Sequence, residues 1–316
     1  MAMDLVPIRV GRYRALRRMV ESGQHRLVVS FGGGAVPGIA GNLALARLLE
    51  QLELREAVEQ VWGTSAGAIV AGGWASGASA TEVLHEVLTL DRPGAIDVDW
   101  RRLAAAMMLR PLGRELPAGL VRGDAILASI QRGIRCMTIE DCPKPVRLIA
   151  VHDDGSMRRK IFRTGCLARS IFASMSIPGI IVPRPVEDGS DETFYDGGLL
   201  EKTPLLSPLA EHTRSGERRK LLLLGTHFET DAKSVPARSF LARFLQTIYA
   251  LEDVAWRLQL DEVRKRDDVT LCLLNPKFER TALFEFDRVT ERFAAAHALF
   301  AESLEDARLP LTFGAS

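Results

Sequence analysis

The sequence predicts an α/β fold built on a mostly parallel central sheet. Three observations predict it. A short, β-branched apolar run, Leu27-Val28-Val29-Ser30-Phe31, ends in Gly32-Gly33-Gly34 and gives way to a helix pattern, with Leu45, Leu48, Leu49 and Leu52 at spacings of three and four. The order returns at once: Val58–Trp62 reads as a buried strand, Gly63-Thr64-Ser65-Ala66-Gly67 as a turn, and a helix of small residues follows. Further apolar runs at Val146–Val151, Lys160–Arg163, Lys220–Gly225 and Val269–Leu274 supply more strands. Strand, glycine turn and helix in alternation are the rhythm of a parallel sheet crossed by helices.

Along the chain, residues 1–26 read as a basic extension. Arg9, Arg12, Arg14, Arg17 and Arg18 alternate with Tyr13, Leu16, Met19 and Val20. A solvated amphipathic helix is the favoured reading, ahead of one lying on a membrane. The early arginines leave no apolar stretch of secretory-leader type. Residues 27–275 form the main domain. Within it, 81–135 is mainly helical and interrupted at Pro93, Pro111 and Pro117. The stretch 99–121 sets Trp100, Leu103, Met107, Met108, Leu109 and Leu112 among arginines, as a lid or lipid-docking surface would, although packing on the core accounts for it equally well. Val146–Val151 and Lys160–Arg163 flank an Asp153-Asp154-Gly155 turn, and Phe194-Tyr195-Asp196 ends in Gly197-Gly198. Residues 276–316 read as a helical tail packed on the same domain, its phenylalanines assigned to the core.

Composition narrows the function. Lys and Arg number 41 against 40 Asp and Glu, a formal charge of +1. A dedicated nucleic-acid binder needs a basic excess, so that class is excluded, while a local patch on a membrane surface stays open. Cys136, Cys142, Cys166 and Cys272 form no C-x-x-C pair and no zinc-spaced cluster, so no metal or other cofactor is expected. A reducing, cytoplasmic setting is expected, with peripheral membrane contact left open. Ala68–Ala80 is too short and too glycine-rich to span a bilayer. Oligomeric state is not legible.

Three motifs carry chemistry. In Gly63-x-Ser65-x-Gly67 the flanking glycines allow a serine to stand on a sharp strand-to-helix turn, facing the positive end of the next helix. Gly32-Gly33-Gly34, also between strand and helix, lets backbone N–H groups approach a substrate. It is neither a dinucleotide fingerprint, since Pro37 stands where the third glycine belongs, nor a P-loop, since Gly38 is followed by Ile39 and Ala40. Asp196-Gly197-Gly198 sets a carboxylate on a tight turn, where a dry pocket would make it a proton acceptor.

Together with Ala173-Ser174-Met175-Ser176-Ile177-Pro178-Gly179 and with Leu199–Leu205 beyond the D-G-G, these motifs in this order resemble the patatin-like phospholipase family over Leu27 to Leu209. The resemblance implies a three-layer α/β/α fold and hydrolysis of a lipid ester by a Ser–Asp dyad through an acyl-enzyme. Carried over by position, Ser65 is the nucleophile and Asp196 the base. Gly63 and Gly67 shape the elbow, and Gly32, Gly33, Gly34 and Ala66 form the oxyanion hole. The family's glycine loop usually continues to a Lys or Arg. Here it continues Ala35-Val36-Pro37-Gly38, which puts preference for phospholipids over neutral esters in question. Two other readings stay open. One is a Ser–His–Asp esterase on an α/β-hydrolase fold, with Ser65, Asp196 and His227 in the required chain order. The other is a catalytically inactive lipid-binding protein.

Overall fold

The computed structural model describes residues 5, 7–92, 94–98, 118–229, 240–278 and 285–305, and positions 100, 104 and 108 between them. Its first half runs α1 (Arg14–Glu21), β1 (His25–Phe31), α2 (Ala35–Gln51), β2 (Gln60–Thr64), α3 (Ala66–Ala75), α4 (Ala80–Leu88), β3 (Gly119–Val121) and α5 (Asp124–Gly133). The second half runs β4 (Val146–His152), β5 (Arg159–Phe162), α6 (Leu167–Ser174), β6 (Gly179–Ile181), β7 (Phe194–Asp196), α7 (Gly198–Glu201), α8 (Leu206–Ser215), β8 (Lys220–Thr226), α9 (Phe240–Arg264), β9 (Val269–Leu274) and α10 (Val289–Ser303).

Seven strands form the central sheet in the order β5-β4-β2-β1-β8-β9, with β7 added on β4. The β4-β2-β1-β8-β9 stretch is parallel, and β5 and β7 run antiparallel to β4. Alternation along the strands feeds two cores, as a sheet covered on both faces requires. Leu27, Val29, Phe31, Leu222 and Leu224 face the larger one, with α2, α3 and α4. Val28, Leu221, Leu223 and Leu273 face the smaller one, closed by Leu209 of α8 and Trp256 and Val263 of α9. This is the three-layer α/β/α arrangement.

β2 begins two residues later than the apolar run suggests, because the Val58 amide is taken by Arg55 in a turn. The shift carries the strand right up to Ser65. The two-stranded sheet of β3 and β6 is absent from the sequence reading, since three-residue strands carry no usable periodicity. The stretch 99–121, read as a lid or lipid-docking surface or equally as core packing, falls mostly outside the described residues; Trp100 and Met108 are exposed, and 119–121 is β3.

The basic N-terminal helix and the tail hold each other. Tyr13 and Leu16 are buried, the Tyr13 hydroxyl donates to the Ala301 carbonyl at 2.9 Å, and Arg12 pairs with Glu305. α10 lies along α2, with Phe293 and Phe300 wholly buried. Among the described residues no helix is long and apolar enough to cross a membrane.

Candidate active site

The sheet register brings the motif residues together. On one edge of β4, β2 pairs as far as Thr64 with Ile149, and β7 takes over at the next position, Asp196 with Ala150. Ser65 and Asp196 therefore emerge side by side from two strands aligned on a third. The Ser65 hydroxyl donates to Asp196 Oδ2 at 2.6 Å, with both residues buried.

Ser65 sits at φ 55° and ψ −124°, a left-handed-side conformation that a non-glycine residue adopts only when its surroundings impose it. The close packing needed is visible at Gly67, where a Cβ would come within 2.0 Å of the Phe31 carbonyl oxygen. Gly197 is under the same pressure, since a Cβ there would lie 2.2 Å from the Ile149 carbonyl oxygen.

Ser174 locks the elbow. Its hydroxyl donates to the Ile149 carbonyl at 2.6 Å and accepts the Ser65 amide at 3.0 Å. Its own carbonyl accepts the Gly197 amide, and the Ser176 carbonyl accepts the Asp196 amide. The serine-rich segment is thus the clasp on both halves of the pair. The sequence marked this segment without giving it a task.

Asp196 Oδ1 accepts the Gly198 amide at 2.7 Å. Burial pushes its carboxyl up to about 6, against the opposing pull of the Ser65 and Gly198 hydrogen bonds and of the Lys202 ammonium. A carboxylate that binds a proton near neutrality, one hydrogen bond from a serine hydroxyl, is placed to accept that proton.

Of the four amides expected to face an oxyanion, two are committed elsewhere. Gly32 donates to Thr226 Oγ1 at 3.0 Å, and Gly33 donates to the Lys202 carbonyl at 2.7 Å. This corrects the expectation for those two glycines, because a bonded N–H is not free for a second acceptor. The amides of Gly34 and Ala66 carry no hydrogen bond among the described residues. Gly33 still lies against the serine, since a Cβ there would be 3.1 Å from Ser65 Cβ.

His227 stands apart from the pair. Its Nδ1 faces Thr203 Oγ1 at 3.1 Å, and its ring stacks on Trp256 with centroids 3.7 Å apart. Burial holds its pKa well below the usual imidazole range. The Ser65 hydroxyl is bonded to Asp196 instead.

A cavity opens at Ser65 and Ala66 and runs between α2, α3, α4 and α5. Val36, Ile39, Ile69, Val87, Ile130 and Ile177 line it, and Phe286 closes part of one wall. Sequence reasoning also missed Lys202 and Glu252, a buried pair beside Asp196. Lys202 follows the D-G-G turn but reads there as an ordinary surface lysine, and Glu252 sits on a helix with no motif of its own.

Comparison with known proteins gives the family of the chain. The model of the patatin-like phospholipase family matches residues 29–209. An uncharacterized protein of Bacillus subtilis, YqhO, is 30% identical over 289 residues, covering 80% of this chain and 96% of that protein. An uncharacterized NTE family protein of Mycobacterium tuberculosis is 29% identical over 198 residues, 62% of this chain and 49% of its own length, so the match spans about half of that relative. Among solved structures, VipD from Legionella pneumophila superposes with a TM-score of 0.42 at 14% identity, over 89% of this chain and 67% of that one. The type III effector protein ExoU gives 0.38 at 16% identity, over 90% and 54%.

Proposed function

The chain belongs to the patatin-like phospholipase family, and from that premise we propose that it hydrolyses lipid acyl esters with Ser65 as nucleophile and Asp196 as the only base. The 2.6 Å bond from the Ser65 hydroxyl to the buried Asp196 carboxylate carries the proposal. The Ser65 proton passes to Asp196 Oδ2 as Oγ attacks the ester carbonyl carbon. The negative charge on the carbonyl oxygen is met by the Gly34 amide, just before α2, and the Ala66 amide at the start of α3, where the helix dipole adds to it. The tetrahedral intermediate collapses, the bond to the alcohol breaks, and Asp196 returns the proton to the leaving oxygen. Water then attacks the Ser65 ester, gives a proton to Asp196, and releases the fatty acid while Oγ recovers its hydrogen.

The cavity beside Ser65 supports an acyl chain as the group transferred, because most side chains on it are aliphatic, with Glu86 and Ser129 the polar ones besides Ser65. The Ser–His–Asp alternative has no support from His227, which is turned to Thr203 and Trp256. Labelling with a fluorophosphonate, followed by peptide mapping, tests the assignment. Ser65 carries the label, and Ser65→Ala loses both label and turnover of p-nitrophenyl esters with an unchanged circular dichroism spectrum. Turnover in a folded Ser65→Ala protein would remove the nucleophile assignment.

A further inference from the structure

The buried Lys202–Glu252 pair plays no part in the steps above, yet it lies against the base. Lys202 ends the α7 turn that begins at the D-G-G, and Glu252 projects from the middle of α9. Lys202 Nζ and Glu252 Oε2 are 3.7 Å apart, and the side chains are 7% and 13% exposed. The two carboxylates flank Gly198: a Cβ at that residue would lie 3.0 Å from Asp196 Oδ1 and 3.3 Å from Glu252 Oε1.

An ion pair buried in this way is poor value for stability, because desolvation takes back most of the attraction and an apolar pair of similar size serves the fold as well. Its position suits another task. A base with no histidine beside it must stay ionised inside a dry site, and a nearby cation is the direct means. We propose that Lys202 and Glu252 are positioning residues for the dyad: the Lys202 ammonium keeps Asp196 in its proton-accepting state, and Glu252 holds that ammonium in place while tempering its charge. This rests on the functional reading of Ser65 and Asp196.

The surrounding groups are consistent with that division of labour. Facing the cluster are Ser65 from the elbow, Asp196 from β7, Lys202 from α7, Tyr249, Glu252 and Asp253 from α9, and His227 beyond β8. Burial raises Tyr249 to about 12 and drives His227 far down, so both are neutral in the working range. Burial also lowers Lys202, while Glu252 and Asp196 help it hold its proton. Glu252 is raised to about 7, chiefly by burial and further by Asp196, with Lys202 opposing. The Lys202 backbone is engaged too, its carbonyl holding the Gly33 amide, so the residue joins base and glycine loop.

The test is the pH profile of kcat/KM on a soluble short-chain ester, with the fluorophosphonate labelling rate as an independent measure. Its acidic limb follows ionisation of the base. Lys202→Met moves that limb to higher pH by about one unit or more, the size expected for loss of a close opposite charge. Glu252→Gln keeps an oxygen that accepts from the ammonium and removes only the negative charge, so it leaves the limb in place or moves it to lower pH. The double variant Lys202→Met/Glu252→Leu, which strands no charge, provides the same reading if Lys202→Met fails to fold: its limb also moves to higher pH. An unmoved limb when Lys202 is replaced, or a shift in the same direction for Lys202→Met and Glu252→Gln, overturns the proposal. A wild-type protein with neither turnover nor label on Ser65 would instead sink the functional reading beneath it.

Discussion

At the scale of single residues, the role proposed for Asp196 sets function against stability. Its carboxyl is raised from 3.8 to about 6, first of all by burial. Below about 3.8 it is protonated whether the chain is folded or not, and costs nothing. As pH climbs from there to about 6 only the unfolded chain ionises it, so stability falls. Above that the cost is constant, roughly 3 kcal/mol for a shift of this size. Asp196→Asn should therefore abolish turnover and yet raise Tm near pH 8, with little change near pH 4. Thermal melts at the two pH values check this, and an equal Tm change at both would mean the charge is not the source. His227 provides the complementary prediction. Its ring packs on Trp256 and its pKa is held low, so His227→Phe should keep activity within about tenfold, allowing an ordinary packing loss of ~1 kcal/mol. Loss of both turnover and labelling in the folded variant would restore the triad. The sequence displayed Ser65 and Asp196 because strained turns demand glycine neighbours. The bonds of Ser174 and the place of Glu252 beside Asp196 depend on geometry that only the folded chain creates: the segment of Ser174 was marked without a task, and nothing local marks Glu252.

At the scale of elements, the glycine loop between β1 and α2 was legible as a unit but not amide by amide. Which N–H stays free depends on Thr226 and Lys202, which arrive from distant parts of the chain. Gly34→Ala is the discriminating substitution. Its new methyl would come within 2.8 Å of Phe228 Cβ, so the loop must move and carry the free amide with it. The expected result is a kcat lowered by about 10²–10³ with KM little changed, the mark of a lost oxyanion donor. A rise in KM alone would make the loop a binding element. The helices show the same division. Periodicity revealed α2, because Leu45, Leu48 and Leu49 are all buried. It could not show that α10 would lie along α2, since pairing of helices far apart in sequence leaves no local trace.

At the scale of the whole molecule, the parallel sheet was readable from the strand–turn–helix rhythm and the three-layer arrangement from the family resemblance, whereas the cavity was not. Six segments build it among the described residues, each presenting an apolar side that also reads as core. Its use can be tested by filling it. Val87→Trp should suppress hydrolysis of long-chain esters severalfold or more and spare four-carbon esters, as kcat/KM across a chain-length series would reveal. A uniform loss would make the cavity a packing defect without a role in substrate choice. The junction on β4 has a broader consequence. Thr64 and Asp196 are each registered to that strand, at Ile149 and Ala150, and not to one another along the chain. The exposed loops of the long stretch between them, outside β4 and the Ser174–Ser176 clasp, are therefore not fixed in length by the pairing. Insertions or deletions in those loops, such as the turn around Gly189, alter the outline of the protein while leaving the reacting atoms where they are. A lineage of such proteins can change its surface extensively, and acquire new surroundings for its substrate, without having to reinvent the pair to which the chemistry is assigned in the proposal above.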